Sequence, residues 1–342
     1  MMDFTGQVAI VTGAGRGLGR SHAMLLASKG CKVVINDLGG AFDGTGVGSR
    51  VADDVVRDIK ALGGEAVANY DSVLEGHKIV QTAIDTYGRV DILINNAGIA
   101  FPQALKNMKE EEWNRMLSIH LDGAFSVTKS CWPYFIKQKY GRVVMTSSPA
   151  GLYGTDGSVH YAVSKMGVVG FASSLQIEAD RMKLDFRANC IAPQAATRMV
   201  ADFGKAVANR RRRNKKTNST TQKKNNTNEF TSNGFDVMSS PDMVSPVVVM
   251  MCSKECPYRS AVFEAGAGWY AQVRLQRSAG LFLNPKITGK MPTPEDILNN
   301  RRSTLDNFND GDFPKMGDMM MGGSGFQKTL RYLKKNGGSS KL

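Results

Sequence analysis

At 342 residues, with 42% hydrophobic and 22% charged residues, the chain has ample apolar surface to bury, as one α/β core with appendages or as two domains. The five cysteines are scattered, Asp3 interrupts the N-terminus and no apolar run approaches membrane-spanning length, so the cysteines are expected to be reduced thiols inside a cell. The formal charge of +13 is concentrated rather than spread: between Lys205 and Glu229 stand nine basic residues and one acidic.

In chain order, β-branched runs predict strands over 7–12, 32–36, 65–70, 91–94, 142–146, 186–191 and 261–264. Helical periods fall between them over 17–29, 50–62, 76–86, 110–138 with a break at Pro133, 160–181 and 241–253. Alternation of this kind makes a doubly wound, Rossmann-type parallel sheet of about seven strands. Residues 1–284 are expected to form that domain. Within it, 204–234 collapses into Asn, Lys, Thr and Arg, too polar to offset its ordering entropy, and reads as a disordered basic insertion. Residues 285–342 read as a C-terminal appendage with a short helix over 294–305. The terminal Ser340-Lys341-Leu342, where free at the C-terminus, reads as a peroxisomal address for an import receptor.

Thr12-Gly13-Ala14-Gly15-Arg16-Gly17-Leu18-Gly19 follows a predicted strand and opens a predicted helix, where glycines let the backbone approach a pyrophosphate at the helix N-terminus. Arg16 either pairs with a phosphate or is a solvated surface arginine. Asp37, just past the second strand, would accept hydrogen bonds from the adenosine ribose and repel a 2′-phosphate, which favours NAD over NADP.

Tyr161 and Lys165 are spaced i, i+4 and share a helix face. An ammonium about 4 Å away, at an effective dielectric near 20, favours a phenolate by roughly 4 kcal/mol, or about three pKa units before desolvation. That would bring Tyr161 near working pH as a base. Ser148, at the end of a predicted strand, could hold the substrate oxygen against the phenol. Alone, the Tyr-x-x-x-Lys spacing fits helix-surface packing equally well. The cysteines and the four histidines have no metal-ligand spacing, so no metal is expected.

Together, Gly13, Gly17, Gly19, Asn95-Asn96-Ala97-Gly98, Ser148 and Tyr161-x-x-x-Lys165 resemble the short-chain dehydrogenase/reductase family over roughly residues 5–200. The resemblance implies that Asn95 and Ala97 contact the cofactor while Asn96 is structural, and that Asp71 and Ser72 meet the adenine. It further implies that Lys165 binds the nicotinamide ribose, and that Pro193 meets the nicotinamide where the substrate-covering segment starts. The family has an asparagine in a proton relay where this chain has His120, and whether His120 serves the relay or the core stays open.

Asn36-Asp37-Leu38-Gly39-Gly40, the glycine-rich loop to Gly48, Ile191-Ala192-Pro193 and the run from Phe263 through Trp269 to Arg274, Arg277 and Ser278 carry a narrower resemblance. They are similar to the (3R)-hydroxyacyl-CoA dehydrogenase units of peroxisomal multifunctional enzymes of type 2. That implies NAD-dependent oxidation of (3R)-hydroxyacyl-CoA to 3-ketoacyl-CoA, a homodimer and a peroxisomal location. Only an appendage follows Asn284, so hydration would need a separate enoyl-CoA hydratase. Three alternatives stand beside this: a 17β-hydroxysteroid dehydrogenase, a 3-ketoacyl reductase, and a non-enzymatic dinucleotide-binding protein that uses the basic insertion. The insertion lacks interleaved aromatics, so nucleic acid is not expected as a partner.

Overall fold

The structure, a computed structural model, describes residues 2–40, 50–195, 240–278, 280, 281, 283, 285–302, 305, 306 and 308. The expectations for the loop to Gly48, the basic insertion and the terminal tripeptide lie outside the described residues. The chain divides into two compact units, Met1–Gln272 and Val273–Leu342.

In the first unit, β1 Val8–Thr12, β2 Lys32–Asn36, β3 Ala66–Asn69, β4 Ile92–Asn95, β5 Tyr140–Thr146, β6 Asp185–Pro193, β7 Val262–Gly266 and β8 Trp269–Val273 form one sheet in the order β3-β2-β1-β4-β5-β6-β7-β8. Every pairing from β3 through β7 is parallel. Such strands are covered on both faces and read as continuous apolar runs, and Val8 to Thr12 is buried at every position.

The eighth strand was not expected. It returns from β7 through Ala267 (φ 51°) and Gly268 (φ 77°), and a two-residue turn with both residues left-handed makes an antiparallel hairpin. Its aromatic residues Trp269 and Tyr270 are exposed, so β8 has no buried alternation to announce it.

The helices of this unit are α1 Gly17–Ala27, α2 Val51–Ala61, α3 Gly76–Tyr87, α4 Glu110–Leu117, α5 Gly123–Gln138, α6 Pro149–Tyr153, α7 Val159–Arg181 and α8 Ser245–Cys252. The long helix expected over 110–138 is interrupted at a π-type turn, Ser118–Asp122, and not at Pro133, which sits inside α5. The region expected as one helix over 241–253 begins with a 3-10 turn, Pro241–Met243, before α8. Among the described residues no helix is long and apolar enough to cross a membrane, and no His, Cys, Asp and Glu group could hold a metal ion. The five cysteines are buried free thiols.

The second unit contains α9 Pro285–Thr288 and α10 Pro294–Asn300. A capping box between Thr293 and Asp296 starts α10, which stops short of the expected Leu305.

Candidate active site

Because β1 to β7 run the same way, their carboxyl ends share one edge of the sheet. The residues singled out in the sequence follow those ends within a few positions: Gly13 after β1, Asp37 after β2, Asp71 and Ser72 after β3, Ala97 after β4 and Ser148 after β5, with Asn95 and Pro193 closing β4 and β6. The strand order reverses between β1 and β4, which opens the crevice where doubly wound sheets bind ligands.

The glycine loop is tight. A Cβ on Gly13 (φ +62°) would stand 2.8 Å from the Ala97 Cα, and one on Gly19 would stand 2.3 Å from the Gly13 carbonyl oxygen. Asn96 Nδ2 donates to the carbonyls of Thr12 and Gly13 at 2.9 and 3.1 Å, and Thr12 Oγ1 accepts from the Asn96 and Ala97 amides, each at 3.0 Å. Asn96 therefore braces the loop from below. The carboxylate of Asp37 accepts from the Gly15 and Gly39 amides, each at 2.8 Å. That fixes it beside the loop, with Arg16 as the exposed N-cap of α1.

Asn95 donates to Thr128 Oγ1 at 3.0 Å on α5. Asp71 accepts from Asn69 Nδ2 at 2.8 Å, and Ser72 caps the 3-10 turn Val73–Glu75. Pro193 is half-buried at the end of β6.

On α7, Lys165 is buried and its Nζ donates to the Thr146 carbonyl at 2.7 Å, 5.7 Å from the centre of the Tyr161 ring. Burial pushes the Lys165 ammonium down to about 7. Ser148 N-caps α6, accepting from the Ala150 amide at 3.2 Å. Burial raises the Tyr161 phenol above its ordinary value, and its hydrogen bond with Ser148 opposes the rise. Burial thus acts against the expectation that Lys165 would draw Tyr161 toward neutral pH, and the lysine is itself desolvated.

His120 lies in the π-type turn with its ring edge-on to Tyr161, centroids 5.4 Å apart. Its Nε2 is 3.1 Å from the Ile99 amide and 2.8 Å from the Ile99 carbonyl oxygen. Burial, then the Lys165 charge, hold His120 well below the ordinary histidine range, so it is neutral. A cavity here is lined by Thr12, Asn95, Ala97, His120, Thr146 and Lys165. His120 Nδ1 and Thr146 Oγ1 are buried without a partner. A tight glycine cradle at a helix N-terminus, an anchored carboxylate and orphaned polar atoms beside Lys165 fit a dinucleotide lying across the sheet edge.

Sequence reasoning missed Thr12 and Thr146, strand-end residues that brace the loop and hold the lysine. It also left Tyr153, Gln194 and Glu264 without a role. The available signal for Glu264 was an acidic residue inside an otherwise apolar strand.

The model of the short chain dehydrogenase family matches residues 7–208. Peroxisomal multifunctional enzyme type 2 of Mus musculus is 37% identical over 305 residues, covering 89% of this chain and 37% of that protein. A short-chain type dehydrogenase/reductase of Mycobacterium tuberculosis is 38% identical over 294 residues, covering 85% of this chain and 91% of its own. The solved structure of full-length peroxisomal multifunctional enzyme type 2 from Drosophila melanogaster superposes with a TM-score of 0.72 at 30% identity, covering 98% of this chain and 52% of that one.

The chain belongs to the short-chain dehydrogenase/reductase family, whose members are oxidoreductases using nicotinamide dinucleotides. It is similar over most of its length to the dehydrogenase-containing peroxisomal enzymes, and it spans only about two fifths of the mouse protein.

Proposed function

We propose that the chain oxidises (3R)-hydroxyacyl-CoA to 3-ketoacyl-CoA with NAD. The observation that carries this reading is the placing of Ser148, just past the end of β5, at the sheet edge that also holds the glycine loop, with the buried Lys165 Nζ 5.7 Å from the centre of the Tyr161 ring. In the proposed reaction Ser148 holds the C3 oxygen and Tyr161, in its deprotonated form, receives the hydroxyl proton as the C–O double bond forms. The cofactor, when bound, accepts the C3 hydride. Lys165 would orient the nicotinamide ribose and stabilise the phenolate as it develops. Gly13, Arg16, Gly17 and Gly19 would face the pyrophosphate, and Asp71, Ser72, Asn95, Ala97 and Pro193 would line the rest of the dinucleotide.

Asp37 supports NAD over NADP, because a carboxylate already fixed by two amides repels a 2′-phosphate. A peroxisomal location is supported by the names of the relatives, and the acyl-CoA substrate rests on the family resemblance. A homodimer and a separate hydratase partner rest on the family resemblance. The decisive experiment follows NADH formation by its absorbance across (3R)- and (3S)-hydroxyacyl-CoA. Turnover of the (3S) series alone, or of neither, would refute the reading.

A further inference from the structure

Glu264 stands in Val262-Phe263-Glu264-Ala265-Gly266, and strand geometry puts it at the carboxyl edge of the sheet, opposite Ala192 of β6. Its side chain is 7% exposed. A buried carboxylate needs donors, and here they are neutral. Tyr153 Oη donates to Oε2 at 2.7 Å, and Gln194 Nε2 stands 3.5 Å from Oε1. Gln194 is itself anchored. Its amide donates to the Ala265 carbonyl at 2.8 Å, and its carbonyl fits only because Gly266 has no side chain, since a Cβ there would stand 2.1 Å from it.

Tyr153 ends α6, and Ser148 is the N-cap of the same helix. A five-residue helix does not hold its own shape in water. One side of α6 is fixed by Gly151, where a Cβ would stand 2.8 Å from the Lys165 Cβ. At the other end Tyr153 is 65% exposed, and its phenol is held by the bond to Glu264. The bond also raises the Tyr153 phenol, so the proton stays on Tyr153.

We propose that Glu264 is a positioning residue for Ser148: by holding Tyr153 it fixes the far end of α6 and keeps the Ser148 hydroxyl within reach of Tyr161. This rests on the reading above that Ser148 and Tyr161 carry the proton transfer. Glu264 touches none of the reacting atoms and acts through the helix.

The test combines Glu264→Ala, Glu264→Gln, Tyr153→Phe, Ser148→Ala and the double variant Glu264→Ala/Ser148→Ala, in the full chain. Misplacement of a reacting group by about 1 Å costs on the order of a hundredfold. Glu264→Ala and Tyr153→Phe should therefore lower kcat by between about tenfold and a hundredfold, with the KM for NAD unchanged. Glu264→Gln keeps an acceptor for the phenol and should retain most of kcat. In the Ser148→Ala background Glu264→Ala should cost nothing further, because the group it positions is gone.

Hydrogen exchange gives a readout that needs no substrate. Amides of 149–154 should exchange faster in Glu264→Ala and Tyr153→Phe, and at the wild-type rate in Glu264→Gln. Additive losses in the double variant, or unchanged exchange over 149–154, would overturn the proposal. If instead Ser148→Ala leaves turnover intact, the proposed chemistry fails, while the exchange rates still decide what Glu264 holds. Tyr153→Phe removes one exposed hydroxyl, so the test stands even if Glu264→Ala does not fold.

Discussion

The Nζ of Lys165 donates to the carbonyl of Thr146 at 2.7 Å, tying the helix that carries the Tyr-x-x-x-Lys pair to the strand that delivers Ser148. Burial holds this lysine at about 7. Between that value and its ordinary 10.5, the unfolded chain carries a proton that the folded chain lacks, so stability rises with pH across the window. Below it both states are charged and the burial penalty is complete. Lys165→Met should accordingly raise the unfolding free energy at pH about 6 by at most a few kcal/mol, and the melting temperature with it, the gain shrinking toward pH about 10. Melting curves that differ equally at both pH values would rule this out.

Tyr161→Phe should lower kcat by at least about a hundredfold while leaving cofactor affinity within a fewfold, since the ring remains and only the proton acceptor is lost. Equilibrium fluorescence titration with NADH, beside steady-state rates, separates the two effects.

Burial raises the Tyr161 phenol, which sets the sign of the pH dependence. Oxidation needs the deprotonated form and should gain rate as pH rises from neutrality, while reduction should lose it. Opposed slopes are the expected outcome in paired assays, and parallel slopes would remove Tyr161 from the proton transfer.

Asp37→Ser removes the carboxylate that accepts from Gly15 and Gly39. The ratio of kcat/KM for NAD over NADP should fall by about tenfold or more, the size of one lost charge contact at a half-buried site. A wild-type preference for NADP would contradict the assignment outright.

His22 is fully buried with Nδ1 2.7 Å from Ser245 Oγ, and burial lowers it to about 3. Between the ordinary value of 6.5 and that figure the unfolded chain binds the extra proton, so stability present above the window is lost as pH falls through it. His22→Asn should flatten the acid limb of a urea-denaturation series by about one proton, or about 1.4 kcal/mol per pH unit. An unchanged slope would show that His22 does not titrate on unfolding.

Much of this site was legible because its residues obey local rules. A strand that runs apolar throughout, as Val8 to Thr12 does, declares a buried parallel sheet, and a parallel sheet gathers its strand ends on one edge. Once Gly13, Asp37 and Ser148 were placed at such ends, their convergence followed from topology, while Tyr161 is carried to them on α7. The π-type turn at Ser118–Asp122 was not legible, since helical residues flank it on both sides and nothing in its composition breaks the run. Proline drew attention instead, yet Pro133 is accommodated within α5. The upward shift of the Tyr161 phenol was also out of reach, because spacing reports a shared helix face but not its burial. Glu264 and Tyr153 lie 111 residues apart and meet only through the tertiary fold.

Ser21 and His22 on α1 meet Asp242 and Ser245, where the described chain resumes after residue 239. This knot sets the point of re-entry against the helix that opens at the glycine loop. The span from β6 to Ser240 is therefore dictated by the knot and not by the amount of sequence strung between them. Doubling the length of a flexible connection costs only about 0.6 kcal/mol. A chain of another length between these two fixed points would then enter α8 and β7 at the same place.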